Sequence, residues 1–219
     1  MCVGAPLDPA LLPLALRCGL EPFEGGFRFL GREYTAPGDA LVAVFEDPAR
    51  AGQPLCLMLG NDLEALAVYL DVLPSLTRPY LWLYADGEPA LECPLALDGA
   101  PRLELVRDYV ARREEYFAAA SMLEFEGLHV HARNPPEVKQ WRAYGLALAG
   151  ARKRVGLWFG TQELPTVELY LYEHLEDFEW CLGTSALAFP NRLRPRVHAL
   201  LAAGMPDDAG AGLARAPLK

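Results

Sequence analysis

The chain has 219 residues, of which 52% are hydrophobic and 22% are charged, a composition typical of a folded globular protein rather than a disordered one. Its formal net charge is −9, and such an acidic surface repels phosphate groups, so neither nucleic acid nor an anionic membrane is expected as a partner. No uncharged, proline-free run is long enough to span a bilayer, and no membrane segment is predicted.

The cysteines are odd in number and widely spaced, and no two of them form a CxxC motif. This usage favours buried, reduced thiols and a reducing compartment, so we expect a cytoplasmic protein. The five residues are Cys2, Cys18, Cys56, Cys93 and Cys181.

The first half of the chain has the pattern of a small α/β domain with a mixed sheet. An N-terminal arm rich in Pro and Gly carries a short hairpin near Phe27. Compact apolar runs bounded by turn residues then predict four strands, at 40–45, 54–59, 80–84 and 90–97. Asp86-Gly87 marks a hairpin between the last two strands.

A helix is predicted directly after the second of these strands. Asn61 followed by Glu64 has the spacing of a capping box, in which the Asn61 side chain caps the first turn. This turn also lies where α/β folds bind ligands, although capping accounts for its residues.

Apolar residues at steps of three and four predict a helix from Pro101 to Phe117. We interpret it as a connector, which divides the chain into an arm and small domain at 1–100, a connecting helix at 101–120 and a second α/β unit at 121–219.

The second unit begins with a strand at 128–132. Asn134 and Pro135 then mark the start of a long helix that ends at Gly160. A strictly alternating strand at 167–173 follows, then a polar loop and an apolar run at 196–203. A last helix is predicted at 207–216.

The long helix has one apolar stripe that includes Trp141, Leu148, Val155 and Trp158, and this stripe is expected to face the core. The basic run 152–154 near its end complements the helix dipole, and the alternative is an anion-binding patch.

No complete catalytic motif is present: the chain has no HExxH, no Walker loop, no GxSxG elbow and no GxGxxG fingerprint. His129 and His131 are the best metal candidates, because residues two apart on a strand project from one face. Zinc needs a third ligand, for which Glu168, His174 and His198 are available. The alternative is a pair of solvent-facing or hydrogen-bonded histidines.

A second candidate site is the strand that carries Glu168, Tyr170 and Tyr172, with His174 next in the same alternation. On one face, these residues offer a carboxylate, two phenols and an imidazole to a small ligand. The alternative is an aromatic face packed under a helix, with Glu168 at its edge.

Residues 125–219 resemble the front portion of gluzincin-type, peptidase MA-like metallopeptidase domains. The resemblance is carried by the strand 128–131, the helix end 151–160, the strand 167–172 and the polar segment 182–188. In that family an HExxH helix and a downstream glutamate hold zinc, and no position here matches either. The resemblance therefore implies a front fragment of a longer protein or a derivative without the active-site helix.

Three functions follow as hypotheses. The favoured one is a non-catalytic, peptidase-like module without cofactor that binds a protein partner or completes a larger protein. The first alternative is a metal-dependent hydrolase that holds zinc through His129 and His131. The second is a small-molecule-binding protein that uses the Tyr170 and Tyr172 face.

Overall fold

The computed structural model describes residues 2–70, 79–134, 138–161 and 163–201. Within these residues the chain forms five α-helices, one short 3-10 helix and strands arranged in three sheets, which confirms the predicted α/β class with its small mixed-sheet α/β domain. The chain divides into two compact units. Unit 1 is Met1–Ala111 with Arg192–Arg194, and unit 2 is Arg112–Asn191 with Pro195–Lys219.

Unit 1 contains a mixed six-stranded sheet and a small antiparallel one. The elements are β1 Cys2–Gly4, α1 Leu12–Arg17, β2 Glu21–Phe23, β3 Gly26–Phe29, β4 Arg32–Tyr34, β5 Ala40–Glu46, β6 Pro54–Gly60, α2 Leu63–Leu70, β7 Tyr80–Ala85, β8 Glu88–Pro94 and β9 Arg107–Asp108. The large sheet has the order β1-β6-β5-β7-β8-β9 and is antiparallel except for the β1–β6 pair. Strands β2, β3 and β4 form the small sheet.

Strand β5 shows why the strands of unit 1 contain consecutive apolar residues instead of alternating apolar and polar ones. Its side chains alternate between two cores: Leu41 packs in a cluster that includes Ala15 of α1, whereas Val42 packs in a cluster with Leu66 and Tyr69 of α2. Both faces of the sheet are therefore covered, and a strand buried on both sides needs no polar alternation.

The hairpin at Asp86-Gly87 is confirmed. Asp86 has a φ of 48° and Gly87 a φ of 91°, so both central residues lie in the left-handed region. A two-residue connection of this kind matches the twist of antiparallel strands, and β7 and β8 pair on either side of it.

The predicted cap of α2 is wrong. The helix begins at Leu63, and the Asn61 side chain donates instead to the carbonyl oxygens of Tyr34 and Ala36, at 3.1 and 3.0 Å. Asn61 therefore ties the end of β6 to the end of β4 and the segment that follows it, a long-range contact that the local capping pattern does not reveal.

The predicted helix at 101–117 is wrong in its first half. A 3-10 turn at Leu103–Leu105 and strand β9 come first, and helix α3 spans Tyr109–Phe117. Val106 has extended dihedral angles and packs against the unit 1 core, while β9 pairs with the edge strand β8. The boundary between the two units falls within α3, after Ala111.

Unit 2 contains a mixed five-stranded sheet with the order β10-β11-β12-β14-β13. Its further elements are β10 Ser121–Phe125, β11 Leu128–Ala132, α4 Val138–Phe159, β12 Val167–Tyr172, α5 Leu175–Leu182, β13 Ala188–Pro190 and β14 Arg196–Leu200. Strands β11, β12 and β14 are parallel, and the edge strands β10 and β13 are antiparallel to their neighbours.

The predicted strands at 128–132 and 167–173 correspond to β11 and β12, and the predicted apolar run at 196–203 contains β14. Helix α5 lies where a polar loop was expected. Its inward side chains Phe178, Cys181 and Leu182 are buried with Tyr116 of α3. The predicted start of α4 at Pro135–Glu137 and the helix at 207–216 lie outside the described residues.

Helix α4 covers one face of this sheet and ends at Phe159. The next residue, Gly160, has a φ of 66°, which confirms the predicted stop. Trp141 is buried against Val130 and Leu169, and Leu148 packs on the same cluster. The predicted stripe fails at its end, because Trp158 is 90% exposed.

Candidate functional site

One face of the unit 2 sheet is apolar and packs on α4. The other face carries polar and aromatic side chains, of which Tyr170, Phe189 and Leu200 pack against the cluster formed with α3 and α5. Because side chains alternate along a strand, the residues that do not pack on α4 point to the opposite side. There they form two rows across the sheet. The first row is Glu124, His129, Glu168 and Arg196, and the second is Met122, His131, Tyr170, His198 and Phe189. We call this surface the polar face.

Glu168 joins the two predicted metal candidates. Its Oε1 lies 2.6 Å from Nδ1 of His129, and its Oε2 lies 2.6 Å from Nε2 of His131. The three side chains, which we call the Glu168 network, are between 21% and 31% exposed. The sequence predicted Glu168 both as one of three possible third ligands for the His129 and His131 pair and as part of a second site. The parallel pairing of β11 with β12 brings the three side chains together.

The Glu168 network fixes the protons of both imidazoles. Burial acts to raise the pKa of Glu168, but the hydrogen bonds from His131 and His129 and the attraction of their charges outweigh it and lower the pKa. An ionised carboxylate has only acceptors, so the ring nitrogen that faces it must donate. His129 therefore carries its proton on Nδ1, and His131 carries its proton on Nε2.

Tyr170 stands at the centre of an aromatic stack. Its ring lies 4.4 Å from the His131 ring at an angle of 7°, and 4.9 Å from the His198 ring at 16°. The Arg196 guanidinium lies 5.7 Å from the same ring, within the range of a cation–π contact. The stack holds Tyr170 rigidly beside the Glu168 network.

Tyr172 belongs to the core of unit 2. It is fully buried, stacks on Tyr116 at 5.2 Å and lies edge-on to Phe178. Its hydroxyl group is 2.9 Å from Nδ1 of His198. At this end of β12 the structure therefore matches the alternative interpretation, an aromatic face packed under helices.

His174 does not join the other candidates. It is exposed at the N-cap of α5, where its backbone carbonyl accepts the amide of Phe178. The proposed set of four ligand-facing residues is therefore split between the polar face, the core and a helix start.

The side chains of the Glu168 network contact one another directly and leave no space for a metal ion between them. A tetrahedral zinc ion with bonds of about 2.0–2.1 Å holds its ligand atoms about 3.4 Å apart. The N···O separations of 2.6 Å are those of direct hydrogen bonds, so the side chains would have to open to admit an ion. Among the described residues, no group of three or more His, Cys, Asp or Glu side chains is arranged to hold a metal.

The sequence did not assign Arg196 to the site and offered His198 only as a third zinc ligand. Both lie on β14, whose pairing with β12 places them beside Glu168 and Tyr170. The sequence did contain an indication of their role, because Arg196 and His198 stand two apart in a short apolar run and would share one face of a strand. The order of the strands in the sheet, which brings this run next to β12, is not written in the local pattern.

Comparison with protein-family models, with curated proteins and with solved structures finds no match to this chain. None of the helices in the described part of the chain has the length and apolar character needed to cross a bilayer.

Proposed function

We propose that this chain is a non-catalytic α/β module that binds a partner through the polar face of unit 2. The partner is another protein or a further domain of a larger protein. The observation that carries the proposal is that both oxygens of Glu168 are engaged by the imidazoles of His129 and His131.

This arrangement is a poor reaction centre. A general base near neutral pH needs a pKa close to the working pH, and the hydrogen bonds of the Glu168 network lower the pKa of its carboxyl group. The same arrangement suits recognition. The imidazoles and the Tyr170 ring are held in place before binding, so little side-chain entropy is lost when a partner docks.

The proposal retains the likeness to the front of a gluzincin-type peptidase domain, as a scaffold without the zinc helix. It also includes a reducing, cytoplasmic environment and no nucleic-acid or membrane partner. All five cysteines are free, and burial raises the pKa of Cys18 and of Cys181 to about 12, as expected for inert thiols.

Photo-crosslinking tests the binding surface. A benzophenone amino acid replaces Met122, which is 56% exposed on the polar face, or Leu187, which is 71% exposed and lies outside the two rows. In the cells that express the chain, position 122 should trap one defined crosslink, to a second protein or within a longer form of the chain, and position 187 should not. Identical adducts at both positions, or none at position 122, would refute the proposal.

Peptide hydrolysis tests the non-catalytic part. The wild-type protein and the Glu168→Gln variant are incubated with a quenched-fluorescence peptide library, with and without added zinc. We expect the same background rate for both proteins. A wild-type rate above that of the variant would instead support the zinc-dependent hydrolase.

A further inference from the structure

The end of α4 and the residues around Thr161 and Leu164 line a pocket of about 480 Å³ that is open to solvent on one side. Its walls include Glu126, Ala149, Arg152, Lys153, Leu157 and Leu164. Small-molecule sites in proteins have volumes of about 300–1,000 Å³, so this pocket has the size of a ligand site. None of the residues of the Glu168 network lines it.

Hydrogen bonds from the Arg152 side chain to backbone carbonyls hold the walls of the pocket in place. The Arg152 guanidinium donates to the carbonyl oxygens of Glu126, Leu164 and Pro165, and so joins α4 to the β10–β11 turn and to the loop before β12. A Cβ at Gly156 would lie 2.7 Å from the Thr161 carbonyl oxygen, which shows how closely the loop packs on the helix. The pocket is therefore formed before any ligand enters.

The pocket combines apolar walls with an excess of positive charge. Ala149, Leu157 and Leu164 supply the apolar surface, and the charged residues of the lining are Arg152, Lys153 and Glu126, two cations and one carboxylate. The negative end of the helix dipole opposes an anion here, and the two cations offset it. In a protein of net charge −9, this local excess of cations is the feature that selects a ligand.

Next to the pocket, α4 ends in apolar side chains that the described residues of unit 2 leave exposed. Leu157, Trp158 and Phe159 are 71%, 90% and 65% exposed. A ligand whose apolar body leaves the pocket would lie against this tip, and exposed aromatic surface of this kind often marks a binding site.

We propose that the pocket binds a small amphipathic anion, a carboxylate or sulfonate attached to an apolar body. Lys153 binds the anionic head, the positive charge of Arg152 adds to its attraction, and Leu157, Leu164 and Ala149 contact the body. This proposal does not depend on the role of the polar face, because the two sites share no residue.

Octanoate and 1-anilinonaphthalene-8-sulfonate are the probes, with octylamine as the cation of matched length. Binding is followed by calorimetry and by the fluorescence of the sulfonate probe. We expect saturable binding of both anions at one site and binding of octylamine at least tenfold weaker. Equal affinity for octanoate and octylamine, or no saturable binding of either anion, would overturn the proposal.

Three variants locate the site. Loss of one ion pair at an exposed site corresponds to about a 2- to 5-fold change in affinity, so Lys153→Met should weaken octanoate binding by about that factor. Glu126→Gln removes the carboxylate that repels an anion, so it should strengthen octanoate binding. Arg142→Met, an exposed cation of α4 outside the pocket, is the matched control and should change nothing. Equal effects of the Lys153 and Arg142 substitutions would show non-specific attraction and overturn the proposal.

Discussion

Replacement of Glu168 by Gln tests the energetic role of the Glu168 network. The substitution keeps the size of the side chain and removes the charge that both imidazoles contact at 2.6 Å. A hydrogen bond to a charged group contributes about 1.5–3 kcal/mol when buried. Because these side chains are 21–31% exposed, we take about 1 kcal/mol for each bond. Since Gln retains part of the bonding, we expect a loss of about 1–2 kcal/mol in the free energy of unfolding at pH 7.

The loss depends on pH in a defined direction. The folded state lowers the pKa of Glu168, so the unfolded state takes up its proton first as the pH falls. The stabilisation is therefore fully present above the unfolded pKa of about 4.3 and disappears as the pH falls through the lower folded value. The difference between wild type and Glu168→Gln should shrink below about pH 4.

Urea denaturation between pH 3.5 and 8, followed by tryptophan fluorescence, measures this difference. Trp141, Trp158 and Trp180 report on unit 2. Glu124→Gln is the control, because Glu124 is an exposed carboxylate in the same row, and it should change stability by less than about 0.5 kcal/mol. Equal losses for the two variants, or a Glu168 effect that is as large at pH 3.5 as at pH 5, would refute the reasoning.

Two further predictions concern the packing of unit 2. In α4, Gly145→Ala should destabilise by about 1–3 kcal/mol, because a Cβ there would overlap the aromatic ring on β10. Gly150→Ala on the same helix has room and should stabilise by about 0.5–1 kcal/mol, and thermal melting of the pair checks both signs. On β12, Tyr172→Ala should cost about 3–5 kcal/mol in urea titrations because the ring is fully buried. Tyr170→Ala should cost less, about 1–3 kcal/mol, and equal costs for the two tyrosines would contradict their different burial.

The parts of the fold that the sequence predicted well rest on local patterns. The apolar runs of β5 and β6 are bounded by turn residues, and apolar and polar residues alternate along β11 and β12. Both patterns are typical of strands, and the structure has strands at all four positions. The Asp86-Gly87 hairpin and the stop at Gly160 were predicted for the same reason, since both depend on a positive φ that few residues favour.

The parts that failed depend on contacts distant in sequence. The sequence predicts a polar loop in place of α5 because Glu176 and Asp177 make the first turn of this helix polar. Its buried side is recognisable only from its packing against α3. Asn61 matched a capping pattern, yet its amide bonds to the end of β4 and the segment that follows it. At the site, Glu168 meets His129 and His131 only because β11 and β12 pair in parallel across α4.

The most direct test of the closed network is the protonation of its imidazoles. In ¹⁵N-labelled protein at pH 7, long-range ¹H–¹⁵N correlation distinguishes protonated from bare ring nitrogens, and His129→Gln and His131→Gln assign the signals. The structure predicts a proton on Nδ1 of His129 and on Nε2 of His131, with no change when one equivalent of zinc is added. A bare nitrogen at either position, or a zinc-induced shift of both rings, would contradict the account.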